Sequence, residues 1–137
     1  MKRFCAAWKS VIKTYSILRA GYSWENSTRP LQFVRDLVTC EILELEANMS
    51  NFDLNSPPLM RLYLQKINDN EHQFTWIYHH IILDGWSADL LLQKVFQQYR
   101  NSDKEIVEQY PYHNFIVWLS QQDIKQAKNF WRNYLEG

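Results

Sequence analysis

The sequence predicts an α/β (α+β sandwich) fold: a mixed β-sheet carrying a β-hairpin, with flanking helices. Three observations point there. The chain opens on apolar residues at helical spacing. Its middle holds two extended runs separated by a short polar break. Beyond Gly85 the apolar spacing changes from alternation to a helical period.

Phe4, Trp8, Val11, Ile12 and Tyr15 share one helical face, with Lys2, Lys9 and Lys13 between them, so an amphipathic helix begins almost at Met1. Residues 18–24 read as a short strand. Pro30 closes a polar loop, and residues 31–34 read as another strand. Residues 39–48 fit either class: Cys40, Ile42 and Leu45 suggest strand, whereas the glutamates at 41, 44 and 46 favour helix. Residues 52–58 form a turn, because Pro58 has no N–H to give a ladder. Residues 59–67 and 72–80, joined by Asn68-Asp69-Asn70-Glu71, form the hairpin. A helix follows with Trp86, Leu90, Leu91, Val95 and Tyr99 on one face and Gln93, Lys94, Gln97 and Arg100 on the other. Two more helices cover residues 112–121 and 123–135.

The totals restrict function. Lys plus Arg is 15 and Asp plus Glu is 15, so the net charge is zero. The chain therefore lacks the positive field on which non-specific nucleic-acid binding depends. Two cysteines without CxxC spacing are free thiols of a reducing compartment, not a disulfide framework. The apolar run after Met1 is broken by Lys9 and Lys13, too early for a signal peptide, and no window is long enough to span a membrane. A cytoplasmic protein is expected.

Two of the four histidines stand together in YHHIILDGWS, residues 78–87. On a regular strand neighbours face opposite ways, so His79 and His80 cannot converge on one point. Zinc needs three or four convergent ligands, and no acidic cluster completes a set, so no metal site is expected. The pair alone also fits ordinary histidines of a half-buried strand. Gly85 allows a tight strand-to-helix turn. Asp84 sits where a carboxylate can fix backbone or a side chain near the imidazole, an arrangement suited to proton transfer. Ser87, at a helix start outside a G-x-S-x-G elbow, reads as a cap rather than a nucleophile.

His79-His80-Ile81-Ile82-Leu83-Asp84-Gly85-Trp86-Ser87 resembles the HHxxxDG(W)S motif of nonribosomal peptide synthetase condensation domains. The flanks are similar too. Residues 15–22 resemble an H-x-x-LRT-x-F element. Phe52-Asp53-Leu54 with Pro58-Leu59-Met60-Arg61 resembles FDL…PLxR. Residues 112–118 resemble Y-x-D-F-x-x-W, and residues 130–135 resemble YWxxxL. Together they cover nearly the whole chain in the family's order. The resemblance implies a chloramphenicol acetyltransferase-like fold and amide formation between a carrier-bound acyl thioester and a carrier-bound amine. It implies no directly bound cofactor; the substrates ride on phosphopantetheine arms of peptidyl or acyl carrier domains. It makes His80 the catalytic position and Asp84 a structural partner of Arg19. His79 would shape the loop, Gly85 permit the turn and Trp86 pack at the helix start. Ser87, Tyr112 and Trp118 complete the motif packing.

Ala20, Tyr15 and Asn114 depart from the family's Thr, His and Asp, and the segment between Val34 and Phe52 is short. Residues 1–137 match only the N-terminal subdomain, without its first strand and without the C-terminal subdomain. That half would come from elsewhere, such as another chain, and the uncovered face would be apolar. Two other readings stay open. One is a different HHxxxDG acyltransferase, ester-forming or epimerisation-type; the other is a non-catalytic remnant or docking module.

Overall fold

The computed structural model describes every residue except 1, 26–28, 44–50, 102–105, 109 and 137. Helix α1 spans Lys2–Thr14 and buries Ala7, Trp8, Val11 and Ile12, leaving Lys9 and Lys13 in solvent. The spacing of its apolar residues sets that face. A 3₁₀ turn, Ser16–Arg19, follows where the sequence suggested strand from residue 18. Leu18 donates its N–H to the Tyr15 carbonyl at 3.1 Å, and its side chain is fully buried. Burying that leucine tightens the chain before it can extend. Strand β1 (Ala20–Ser23) then pairs antiparallel with β2 (Leu31–Val34), placing Gly21 opposite Phe33.

A second sheet has the order β3-β4-β5, where β3 is Ile42–Leu43, β4 Met60–Lys66 and β5 His72–Tyr78. The β3–β4 pairing is parallel and β4–β5 is antiparallel. At the ambiguous segment, residues 42–43 are strand, and residues 44–48 lie outside the described residues. Met60, Leu62 and Leu64 stand opposite Tyr78, Trp76 and Phe74. These side chains lie on one face of the hairpin, and all but Leu64 pack into the core with α1. Phe4 meets Phe74 at 5.0 Å between ring centroids, and Trp8 meets Trp76 at 5.0 Å, both edge to face. Such pairs contribute roughly 0.5–1.5 kcal/mol each beyond their area burial.

Helix α2 (Gly85–Arg100) packs against α1 and buries Ala88, Leu91 and Val95. The expected apolar face is therefore only partly correct. Leu91 and Val95 are buried, but Trp86 is 84% exposed and Leu90 59% exposed. Leu91 and Val95 share the core with α1, and Phe96 and Tyr99 meet its Phe4, whereas at about 100° per residue Trp86 lies across the helix from Val95. Arg3 closes the other end of α2, donating to the Tyr99 carbonyl at 3.1 Å and the Arg100 carbonyl at 3.4 Å. Those carbonyls have no partner within the helix.

Helices α3 (Tyr112–Ser120) and α4 (Ile124–Leu135) follow, close to the boundaries their periodicity suggests. Asp123 caps α4 by accepting from the Lys125 and Gln126 N–H groups. Neither helix buries a residue, and Phe115, Trp118, Phe130 and Trp131 are each about half exposed. Among the described residues, no helix is long and apolar enough to cross a membrane.

Candidate functional site

Strand β5 stops at Tyr78, so the histidine pair lies beyond the strand rather than within it. The His79 N–H donates to the Leu59 carbonyl at 2.9 Å, and the Ile82 N–H returns to the His79 carbonyl at 3.1 Å, closing a turn. The two imidazoles still part company. His79 is half-buried, edge-on to Phe52 at 6.2 Å, and its Nδ1 accepts the Ile81 N–H at 3.0 Å. That acceptance requires Nδ1 to carry no proton. His80 is exposed beside the Tyr78 ring at 5.8 Å. One ring builds the turn and the other is presented by it. The Tyr22 hydroxyl reaches the same turn, donating to the Ile81 carbonyl at 3.1 Å.

The predicted Asp84–Arg19 pair is absent. Asp84 is the N-cap of α2, its Oδ1 accepting the Ser87 N–H at 2.8 Å. The hydrogen bonds from Ser87 hold its carboxyl below the usual 3.8, with a smaller attraction from His80. Arg19 instead donates to the carbonyls of Ile12, Arg35 and Asp36. Both groups have local partners, so neither reaches for the other. The cap is thus Asp84, while Ser87 supplies the donor three residues on. Gly85 does not owe its place to conformation: no described glycine has positive φ, and a Cβ at Gly85 would meet nothing within 4 Å. Trp86 does not pack at the helix start but projects into solvent.

His80 lines an open cavity of about 800 Å³ whose walls include Tyr15, Leu91, Lys94, Glu108 and Tyr112. The wall is thus built from the turn, the start of α2, the segment after α1 and the approach to α3. Glu108 is fixed by the Ser16 N–H at 3.3 Å and the Ser16 hydroxyl at 3.5 Å. Burial, and then the Glu108 charge, raise the Tyr15 phenol above its ordinary 10.0. Tyr112 stands at the cavity; Trp118, farther along α3, is not among its lining residues and is 55% exposed.

Sequence reasoning found His80, Asp84 and Tyr112 but missed Tyr22, Lys94 and Glu108. Strand placement could have flagged Tyr22, since a polar tip on a packed strand needs a partner. Glu108 had no local signal, because it meets Ser16 across 92 residues.

Comparison with known proteins agrees with the motif. Residues 1–137 match the condensation domain family. A linear gramicidin synthase of Brevibacillus parabrevis is 34% identical over 155 residues, covering 96% of this chain and 2% of that protein. The cyclization-docking bidomain of the EpoB nonribosomal peptide synthetase from Sorangium cellulosum superposes with a TM-score of 0.73 at 16% identity. That match covers 98% of this chain and 31% of the other. SgcC5 from Streptomyces globisporus gives 0.71 at 19% identity, covering 99% and 37%. These neighbours place the chain in the chloramphenicol acetyltransferase-like fold. The chain spans only 2–4% of the curated synthetases it matches. By its motif, its fold and its family match over residues 1–137, the chain belongs to the condensation domain family of nonribosomal peptide synthetases.

Proposed function

We propose that this chain supplies the catalytic-histidine wall of an amide-forming condensation site. The observation that carries the reading is His80, exposed at the end of the hairpin and facing a cavity large enough for an aminoacyl group. The substrates are an acyl thioester and a primary amine, each delivered on the phosphopantetheine arm of a carrier domain. The amine nitrogen attacks the thioester carbonyl. Its proton passes to the His80 imidazole, the carbon–sulfur bond breaks, and the proton goes on to the departing thiolate. A positioned base of this kind is worth roughly 10²–10⁴ in rate. His79 and the Asp84 cap shape the turn that presents it.

These residues supply one wall of the site. Residues 1–137 are read as the N-terminal subdomain of a condensation domain, whose C-terminal subdomain supplies the opposite wall. Orientation of two tethered reactants, which can contribute roughly 7–11 kcal/mol, depends on both. Carrier domains and that second subdomain are the partners, in the cytoplasm.

The test loads separate carrier proteins with an acyl and an aminoacyl group and measures amide product by mass spectrometry. The chain is assayed alone and with a condensation-domain C-terminal subdomain added in trans. Product that appears with the added half and drops at least about 10²-fold in His80→Ala supports the reading. Equal product from both proteins refutes the role of His80. Absence of product in every combination refutes the amide-forming reading.

A further inference from the structure

Ile81, the residue after His80, is gripped at both backbone polar atoms. Its N–H, part of the peptide linking it to His80, donates to His79 Nδ1 at 3.0 Å, and its carbonyl accepts from the Tyr22 hydroxyl at 3.1 Å. The first grip is local to the turn. The second comes from 59 residues away in another sheet.

Tyr22 is itself well fixed. It pairs with Gln32 in the β1–β2 ladder, and its N–H donates to the Leu54 carbonyl at 2.8 Å. Gly21 beside it is seated against the Phe33 ring and Pro57. A phenol held by so short a strand is a stiff arm, since only two side-chain torsions separate its hydroxyl from the backbone. Burial, and then Tyr112, push its pKa above the ordinary 10.0, so the hydroxyl keeps the proton it donates.

We propose that Tyr22 is a positioning residue for His80, its hydroxyl anchoring the Ile81 carbonyl and so fixing the backbone from which the imidazole projects into the cavity. The proposal rests on the catalytic reading of His80 given above. The exposed imidazole meets the Tyr78 ring edge-on at 5.8 Å but is otherwise open to solvent on the cavity side, so its aim depends chiefly on the backbone beneath. A displacement of about 1 Å in such a group can cost on the order of 10²-fold in rate.

Tyr22→Phe removes the hydroxyl and keeps the ring; Tyr134→Phe, on exposed α4, is the control. Amide hydrogen exchange read by NMR requires no turnover. In Tyr22→Phe, exchange at the Ile81 and Ile82 amides rises by about three- to tenfold, as expected for one lost hydrogen bond, while amides of β4 keep their wild-type rates. The His80 ring resonances broaden or shift. In the carrier-loaded assay kcat falls by about the same factor with KM unchanged, and Tyr134→Phe behaves as wild type. Wild-type exchange and ring signals in Tyr22→Phe would overturn the proposal, as would faster exchange spread evenly over the whole chain. If His80→Ala forms product at the wild-type rate, the reaction assigned to His80 falls. Exchange alone then decides whether Tyr22 holds the turn.

Discussion

A single methyl group at residue 21 tests how the β1–β2 ribbon is built. A Cβ on Gly21 would lie 2.5 Å from Phe33 Cζ, 2.8 Å from Phe33 Cε2 and 3.0 Å from Pro57 Cδ. Carbon atoms rest at about 3.5–4.0 Å, so the ring must retreat by roughly 1 Å. Pro57 cannot yield by rotating a side chain, because its ring is tied to the backbone. Phe33 is half-buried, with the Arg35 guanidinium 5.9 Å from its centroid, so its movement disturbs a second contact. Overpacking of this kind costs about 1–3 kcal/mol. At roughly 4 °C per kcal/mol for a domain of this size, Gly21→Ala should melt about 4–12 °C below wild type by circular dichroism. The partner is identified by a double-mutant cycle with Phe33→Leu, which withdraws the two nearest atoms. In that background the cost of Gly21→Ala should fall by at least about half, a coupling within the range for residues in contact. A Gly21→Ala protein that melts with wild type, or whose penalty is unchanged by Phe33→Leu, refutes the close-approach argument.

Other expectations follow from burial and charge. Leu62→Ala, at a fully buried position in β4, should lower unfolding free energy by about 2–5 kcal/mol in urea titration. Phe130→Ser, on a side chain 59% exposed, should change it by no more than about 0.5 kcal/mol. Asp84→Ala should destabilise α2, whereas Asp84→Asn, still a cap, should do so less. Because folding lowers the Asp84 pKa from 3.8, its contribution is present above that value and is lost as pH falls through the folded pKa. The gap between wild type and Asp84→Ala should therefore narrow in thermal melts below about pH 4, leaving the part that a neutral cap supplies. Burial pushes the Cys40 thiol up to about 11, so at pH 8 it should react with a thiol reagent roughly a hundredfold more slowly than in denaturant.

Much of what local forces decide was disclosed by the sequence. The spacing of Trp8, Val11 and Ile12 located α1 and its buried face, and the polar break at residues 68–71 located the hairpin. The motif singled out the exposed His80. What stayed hidden was long-range or competitive. Arg19 had several backbone carbonyls within reach, and Asp84 had an orphan N–H three residues away, so a pairing implied by resemblance lost to nearer partners. The rotation of α2 depends on where α1 lies, which the periodicity of α2 alone does not contain. Tyr22 illustrates both sides: its strand was legible, but the acceptor of its hydroxyl belongs to a turn 59 residues later.

The union of α1 with later elements has a consequence for synthesis. Phe4 and Trp8 rest on Phe74 and Trp76, and Arg3 fastens to the Tyr99 carbonyl 96 residues downstream. At roughly 5–20 residues per second, the ribosome leaves the apolar side of that first helix without its mates for about 4–14 s. The nascent polypeptide must shelter it by transient collapse or by a chaperone until the hairpin has emerged.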